Sequence, residues 1–366
     1  MKHKIYKYVL SLLRRVAKLI QIGNPAGRAP SLLNEPLNMQ QLEVQAPLPK
    51  SMAVWQLPNT LCSGLYGGVV INAQNQVYDR FLIYPWGKEL HPCLTFPYLG
   101  NKKLDIQKAV FLITVATKAN YYHWIADLLP RLLLVQKCGL ADFHERSFIL
   151  HQPERCYEHD TLRLLEIAEE KVIRLQTFET IAVKDLVIAD YLHSRDGQHF
   201  PAWKKELLNE FKAKVLGPES KKGDRKIYLL RGKQRTRKLL GEERLVHMLQ
   251  ELGFEIMDPQ QLSLLEQMHI LSQAAVVVAL HGAALTNIIF CKEGTLIVEL
   301  RSSHKPPEYY SEIAKTYQLQ FETISLKPER VLEPRHLANE QDLHLSEKSL
   351  ETLLSTLQMY EVQHQY

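Results

Sequence analysis

Four groups of residues have types and spacing suited to chemistry. The first is Leu280-His281-Gly282-Ala283-Ala284-Leu285-Thr286-Asn287, directly after the apolar run Ala274 to Leu280. Small residues after a buried strand let a ligand approach the backbone, and N–H groups opening the next helix can cradle phosphate oxygens. His281 can donate to the same anion. The second is Arg231-Gly-Lys-Gln-Arg235-Thr-Arg237-Lys238, five positive charges in eight residues starting where a strand ends. Arginine suits phosphate because its planar fork binds in bidentate fashion. A charge run of this kind is also what an ordinary solvated loop looks like.

The third group is Asn120-Tyr-Tyr-His123-Trp124-Ile-Ala-Asp127-Leu-Leu-Pro130-Arg131. With Asn120 as helix cap, His123, Asp127 and Arg131 fall at i, i+4 and i+8 on roughly one face. A carboxylate beside an imidazole is a general-base arrangement. The plainer reading is a surface ion pair of Asp127 with Arg131, with Trp124 in a core. Pro130 is expected to kink or end the helix and turn Arg131 off the line. The fourth is Glu299, ending the strand Leu296 to Leu300, where a carboxylate can accept both hydroxyls of a ribose.

The elements that must position these groups follow from periodicity. Val69–Ile71 and Val77–Ile83 predict a hairpin, Ala109–Val115 a buried strand, and Pro201–Leu216 a helix started by proline. Between these, Ser147–Leu150, Leu162–Ala168, Val172–Leu175 and Thr180–Ala189 predict strand, helix, strand, strand. After the polar segment 217–224, strands at Lys226–Leu230, Phe254–Met257, Ala275–Leu280 and Leu296–Leu300 alternate with helices at Glu242–Leu252, Leu262–Ser272 and from about Ala284. That alternation predicts an α/β fold with a parallel sheet. The divisions expected are a basic helix and linker (1–50), a first domain (51–216), a second domain (217–330) and an extension (331–366) with a last helix at Ser346–Glu361.

Composition narrows the class further. The 366 residues are 46% hydrophobic and 23% charged, ordinary for a globular chain. Net charge is +5, from 45 basic and 40 acidic residues. Six of the basic residues lie within residues 1–18, so the body is close to neutral and lacks the footprint of a nucleic-acid binder. Residues 1–22 read as an amphipathic basic helix that lies on an anionic membrane or packs on protein. Five scattered cysteines without a Cys-x-x-Cys pair argue against a disulfide framework or a zinc site. A cytoplasmic location, peripheral on the inner face of the membrane, is the expectation. P-loop, dinucleotide-binding, zinc-peptidase and α/β-hydrolase motifs are all missing, and so is an Asp-x-Asp.

The ordered set of three motifs, with a later strand ending Val-Glu-Leu, closely resembles the family 61 glycosyltransferases, including bacterial members of capsular polysaccharide biosynthesis. The resemblance covers roughly residues 110–320. It implies a GT-B architecture, two Rossmann-like domains facing a cleft, and an inverting, metal-independent transferase. The donor expected is a nucleotide sugar, UDP-linked, with no further cofactor. The acceptor is a glycan or lipid-linked saccharide. Carried over, Arg231, Arg235, Arg237, His281, Gly282, Ala283 and Ala284 attend the donor diphosphate, and Glu299 the ribose. Thr286 and Asn287 are further donor contacts. Asp127 is the general base and His123 the alternate. Two departures are Gly241-Glu242 where the family commonly has Asn-Glu, and Ala283-Ala284 in place of Ala-Gly. The competing reading is a non-catalytic nucleotide-sugar or glycan-binding scaffold.

Overall fold

The computed structural model describes residues 31–33, 39–46, 48–49, 52–82, 91–94, 101–113, 120–152, 155–177, 179–191, 200–218, 223–231, 238–303, 308–329 and 341–364. The expected helix over 1–22, the start of the expected linker, Arg235 and Arg237 lie outside the described residues. The chain divides into two compact units, Met1–His193 and Ser194–Tyr366.

The first unit holds a nine-stranded mixed sheet. Its strands are β1 (Ser31–Leu33), β2 (Gln40–Leu42), β3 (Val54–Ser63), β4 (Val69–Ile71), β5 (Gln76–Tyr78), β6 (Asn101–Phe111), β7 (Ser147–His151), β8 (Val172–Leu175) and β9 (Glu179–Ala189). The order is β1-β5-β4-β3-β9-β6-β7-β8, with β2 also on β3. From β9 to β8 all neighbours are parallel. In chain order that half reads 3-2-1-4, the Rossmann arrangement, with the order reversing between β6 and β9. The other half departs from a Rossmann domain: β3 runs antiparallel to β2, β4 and β9. The expected hairpin is present as β4 and β5, but its second strand ends at Tyr78, where a 3-10 helix over Asp79–Phe81 takes over. Segments 31–33 and 40–42, read as linker, pair into the sheet as β1 and β2. Three-residue strands are too short to show an alternating pattern.

The second unit holds β10 (Arg225–Leu229), β11 (Leu239–Leu240), β12 (Phe254–Met257), β13 (Ala274–Leu280), β14 (Leu296–Ser302), β15 (Gln320–Pro328) and β16 (Leu343–His344). The order is β11-β16-β15-β14-β13-β10-β12, and β12, β10, β13, β14 and β15 are parallel throughout. In chain order these five read 2-1-3-4-5, reversing between β10 and β13. β13 lies centrally, with Val277 and Val278 fully buried, as a strand covered on both faces requires.

The helices sit close to where periodicity puts them: Glu242–Glu251, Leu264–Ser272 and Glu347–His364. Ser263 caps the second of these in a capping box with Glu266. The helix Tyr309–Tyr317 and strand β15 carry no expectation from the sequence. The helix Ala202–Leu216, assigned from sequence to the end of the first domain, belongs to the second unit. Its buried Leu207, Leu208 and Phe211 lie on a helix packed against Leu264–Ser272, the 3-10 helix Ala283–Phe290 and Tyr309–Tyr317.

Candidate active site

In open α/β sheets, ligands bind outside the carboxyl ends of strands where the strand order reverses. Both units carry a histidine–carboxylate pair close to such a point.

In the first unit, the segment after β6 becomes a helix over 121–136. Asn120 caps it, its side chain accepting from Tyr122 N at 2.9 Å. His123 Nδ1 lies 2.7 Å from Asp127 Oδ2. The carboxylate is 2% exposed and the imidazole 23%. An ionised carboxylate only accepts, so Nδ1 is the donor in this pair. That is the geometry of an oriented base, with histidine outward and aspartate behind it.

The helix does not stop at Pro130. Residues Trp124–Leu128 form a π-turn, in which Leu129 N–H bonds Trp124 O, and α-helix resumes over Leu129–Gln136. A π-turn acts as one inserted residue, rotating the rest of the helix by about 100° relative to a continuous α-helix. Widening there also relieves the demand that Pro130 would place on the preceding turn. The divergence of Arg131 expected from a proline kink is therefore produced by the π-turn.

The expected surface ion pair is likewise replaced. Every residue from Trp124 to Val135 is buried. Arg131 donates to Ala189 O, at the carboxyl end of β9, from Nη2 at 2.7 Å and Nε at 3.3 Å. Its guanidinium lies 5.3 Å from the Tyr191 ring centroid. Trp124 is anchored by its indole N–H on Thr161 Oγ1 at 2.9 Å.

In the second unit, β10 and β13 end beside each other, bringing Arg231 to the turn after Leu280. Arg231 Nη1 donates to His281 O at 2.9 Å. His281 N in turn donates to Leu300 O at 2.8 Å, extending the β13–β14 ladder by one step. Its side-chain Nδ1 meets Glu299 Oε1 at 2.5 Å, and its ring packs edge-on against Tyr310, centroids 5.2 Å apart. Ala283 and Ala284, partly exposed, open the 3-10 helix.

Glu299, Thr286 and Asn287, assigned to the donor from sequence, are all buried here. Glu299, expected to meet a ribose, is 2% exposed and engages His281 with one oxygen and Arg301 Nη1 with the other, at 3.5 Å. Both of its oxygens are thus engaged by side chains of this unit. Thr286 and Asn287, expected as donor contacts, are both 0% exposed. Asn287 Nδ2 donates to Gln267 Oε1 at 2.8 Å, tying the turn to the neighbouring helix. Arg301 and Tyr310 are functional neighbours that sequence reasoning misses. Arg301 carries a usable signal, since residue i+2 on a strand shares the face of Glu299; Tyr310 rides on an unanticipated helix.

Among the described residues no group of three or more His, Cys, Asp or Glu could hold a metal ion, and no helix is long and apolar enough to cross a membrane.

Comparison with known proteins converges on the same segment. Residues 121–298, just under half of the chain, match the profile of the family Glycosyltransferase 61. That segment opens at the His123–Asp127 helix and closes one residue before Glu299. A xylan glycosyltransferase of Arabidopsis thaliana, MUCI21, is 28% identical over 242 residues, covering 63% of this chain and 45% of its own. The chain thus spans less than half the length of that relative. Both similarities support a glycosyltransferase.

Proposed function

We propose that this chain transfers a sugar from a nucleotide-sugar donor to a glycan acceptor by a single, inverting displacement. The observation that carries this reading is the convergence of Arg231, His281 and the 3-10 helix start at the reversal point of the second sheet. A diphosphate is the ligand such a set of donors suits. The first unit contributes the base and the second the donor site, the division of labour of the GT-B architecture.

In the chemical step, the acceptor hydroxyl gives its proton to His123 Nε2 while its oxygen attacks the anomeric carbon. The bond from that carbon to the diphosphate breaks, and the nucleoside diphosphate leaves with the electron pair. The family resemblance implies Asp127 as base, with His123 the alternate. The 2% exposure of Asp127 against 23% for His123 favours the histidine, with Asp127 holding its Nδ1–H. Charge developing on the leaving group falls on Arg231, on His281 steadied by Glu299, and on the N–H groups at Ala283 and Ala284. Arg235 and Arg237 supply further cations to the same leaving group. Such preorganised donors are the main source of stabilisation for a step of this kind, and the reaction proceeds without a metal.

The donor is UDP-linked and the acceptor a polysaccharide, of the xylan class that the Arabidopsis relative's name carries or of the capsular class. Residues 1–22 hold the protein on an anionic cytoplasmic membrane face, and their deletion releases it from anionic vesicles. The deciding experiment is a thermal-shift panel of nucleoside diphosphates and their sugars, then transfer assays with every donor that stabilises the fold. Stabilisation by a nucleoside diphosphate together with sugar transfer supports the reading. Stabilisation without transfer to any glycan leaves a binding scaffold.

A further inference from the structure

Three neighbouring strands of the second sheet, β10, β13 and β14, carry Arg231, His281 and Arg301 at their carboxyl ends, in that spatial order. The register sets all three level. Leu229 pairs with Ala279, so Arg231 falls opposite His281. Leu280 pairs with Leu300, and His281 N continues that ladder onto Leu300 O, so Arg301 falls opposite His281 on the other side. Neighbouring strands lie about 4.8 Å apart, which places β10 and β14 about 10 Å apart with β13 between them.

The two arginines are held differently. Arg231 Nη1 is committed to the His281 carbonyl at 2.9 Å. Arg301 shares a face of β14 with Glu299, two residues earlier. Its Nη1 comes only to 3.5 Å from Glu299 Oε2, longer than an N–H···O hydrogen bond, while Glu299 Oε1 meets His281 Nδ1 at 2.5 Å. Among the described residues Arg301 has no other acceptor. Its side chain is 11% exposed, yet none of its nitrogens is sealed off from solvent. The guanidinium is therefore largely stripped of water, aimed by a buried carboxylate, and left with its fork of donors unfilled. Beside a turn whose neighbouring N–H groups and Arg231 already suit an anion, the partner that fits a planar fork is a pair of phosphate oxygens.

We propose that Arg301 is a donor-binding residue, the second arm of a clamp whose first arm is Arg231, and that it takes one phosphate of the nucleotide-sugar diphosphate beside His281. The inference rests on the reading of this turn as the donor site. Arg301 lies beyond residues 121–298, the segment that matches the family, so the geometry alone assigns it. In the chemical step its charge adds to the stabilisation of the leaving nucleoside diphosphate. Glu299 then has two tasks: it holds the His281 ring, and it aims Arg301 from a distance that leaves the guanidinium free to donate.

Calorimetric titration of the full chain with uridine diphosphate and with inorganic pyrophosphate tests this. Arg301→Met keeps the apolar stem and removes the fork. It should bind both ligands roughly tenfold or more weakly, the scale of one charge-assisted contact. The same substitution on a Glu299→Gln background separates contact from support: a phosphate ligand still loses affinity several-fold, whereas a mere prop for Glu299 loses nothing further. Wild-type pyrophosphate affinity in folded Arg301→Met overturns the proposal. So does a loss confined to uridine diphosphate, or no further loss beside Glu299→Gln. Where the Met variant does not fold, the wild type decides. The Arg301 Nε–H resonance, assigned by its disappearance in Arg301→Lys, should shift as pyrophosphate is added, and an unmoved resonance at saturation overturns the proposal. The underlying reading fails separately, if the wild-type chain binds neither uridine diphosphate nor pyrophosphate.

Discussion

A β-carbon at position 282 would lie 2.5 Å from Arg231 Nη1, inside any normal contact distance. Gly282 has φ 169° and ψ 171°, extended backbone open to every residue type, so what a side chain would meet here is the Arg231 guanidinium alone. The guanidinium lies over the turn because no side chain stands in its way. Gly282→Ala is therefore expected to displace Arg231 while leaving the backbone unstrained. Nucleoside diphosphate affinity should fall by about 2 kcal/mol, as it should for Arg231→Ala, the scale of one charge-assisted contact. Calorimetric titration of both variants checks this; wild-type affinity in folded Gly282→Ala removes Arg231 from the donor site.

The two members of the first pair should fail differently. His123→Gln removes the base and should lower transfer by roughly 10²-fold or more. Asp127→Asn keeps the ring but offers its Nδ1 an amide able to donate, so the wrong tautomer becomes available and transfer also falls. Donor affinity should hold in both, because the donor contacts lie beyond residue 224. The outcome that sinks this assignment is full activity in His123→Gln with activity lost in Asp127→Asn, which would return the role of base to the aspartate.

Glu299→Gln tests whether that carboxylate serves His281 or a ribose. Glutamine keeps one acceptor oxygen where the carboxylate has two, so it cannot serve both His281 and Arg301. Affinity should then drop equally for a nucleoside diphosphate and for inorganic pyrophosphate, which has no ribose. A drop confined to the nucleotide would restore the ribose role.

Thr286 is fully enclosed, and its Oγ1 makes no hydrogen bond. Removing an unsatisfied buried hydroxyl relieves a desolvation cost of about 1 kcal/mol. Thr286→Val should accordingly match or exceed wild type in thermal stability, with donor affinity unchanged. Weaker donor binding in a stable Thr286→Val would bring the hydroxyl back as a ligand contact.

Much of this molecule is legible from its residues in order. The apolar run around Val277 reads as one buried strand, and the alternation after residue 224 already implies the parallel sheet around it. The small residues after His281, the cations from Arg231 and the i, i+4 pair of His123 and Asp127 are local signals, and local signals survive in sequence. Other features depend on contacts between distant segments. The 2-1-3-4-5 order, which sets the end of β10 beside the end of β13, arises from pairing across some fifty residues and leaves no trace in periodicity. The long antiparallel partner of β9, the strand β3, is likewise visible only once the two are paired. The roles within each pair are equally hidden. Spacing brings His123 to Asp127, but which one meets solvent is decided by the π-turn and by the groups packed around the helix. Glu299 and His281, eighteen residues apart, become one unit because adjacent parallel strands end together. Sequence determines which chemical groups are present and the local frame that each occupies. Burial and charge compensation are sums over neighbours from the whole chain, and those sums exist only in the folded structure.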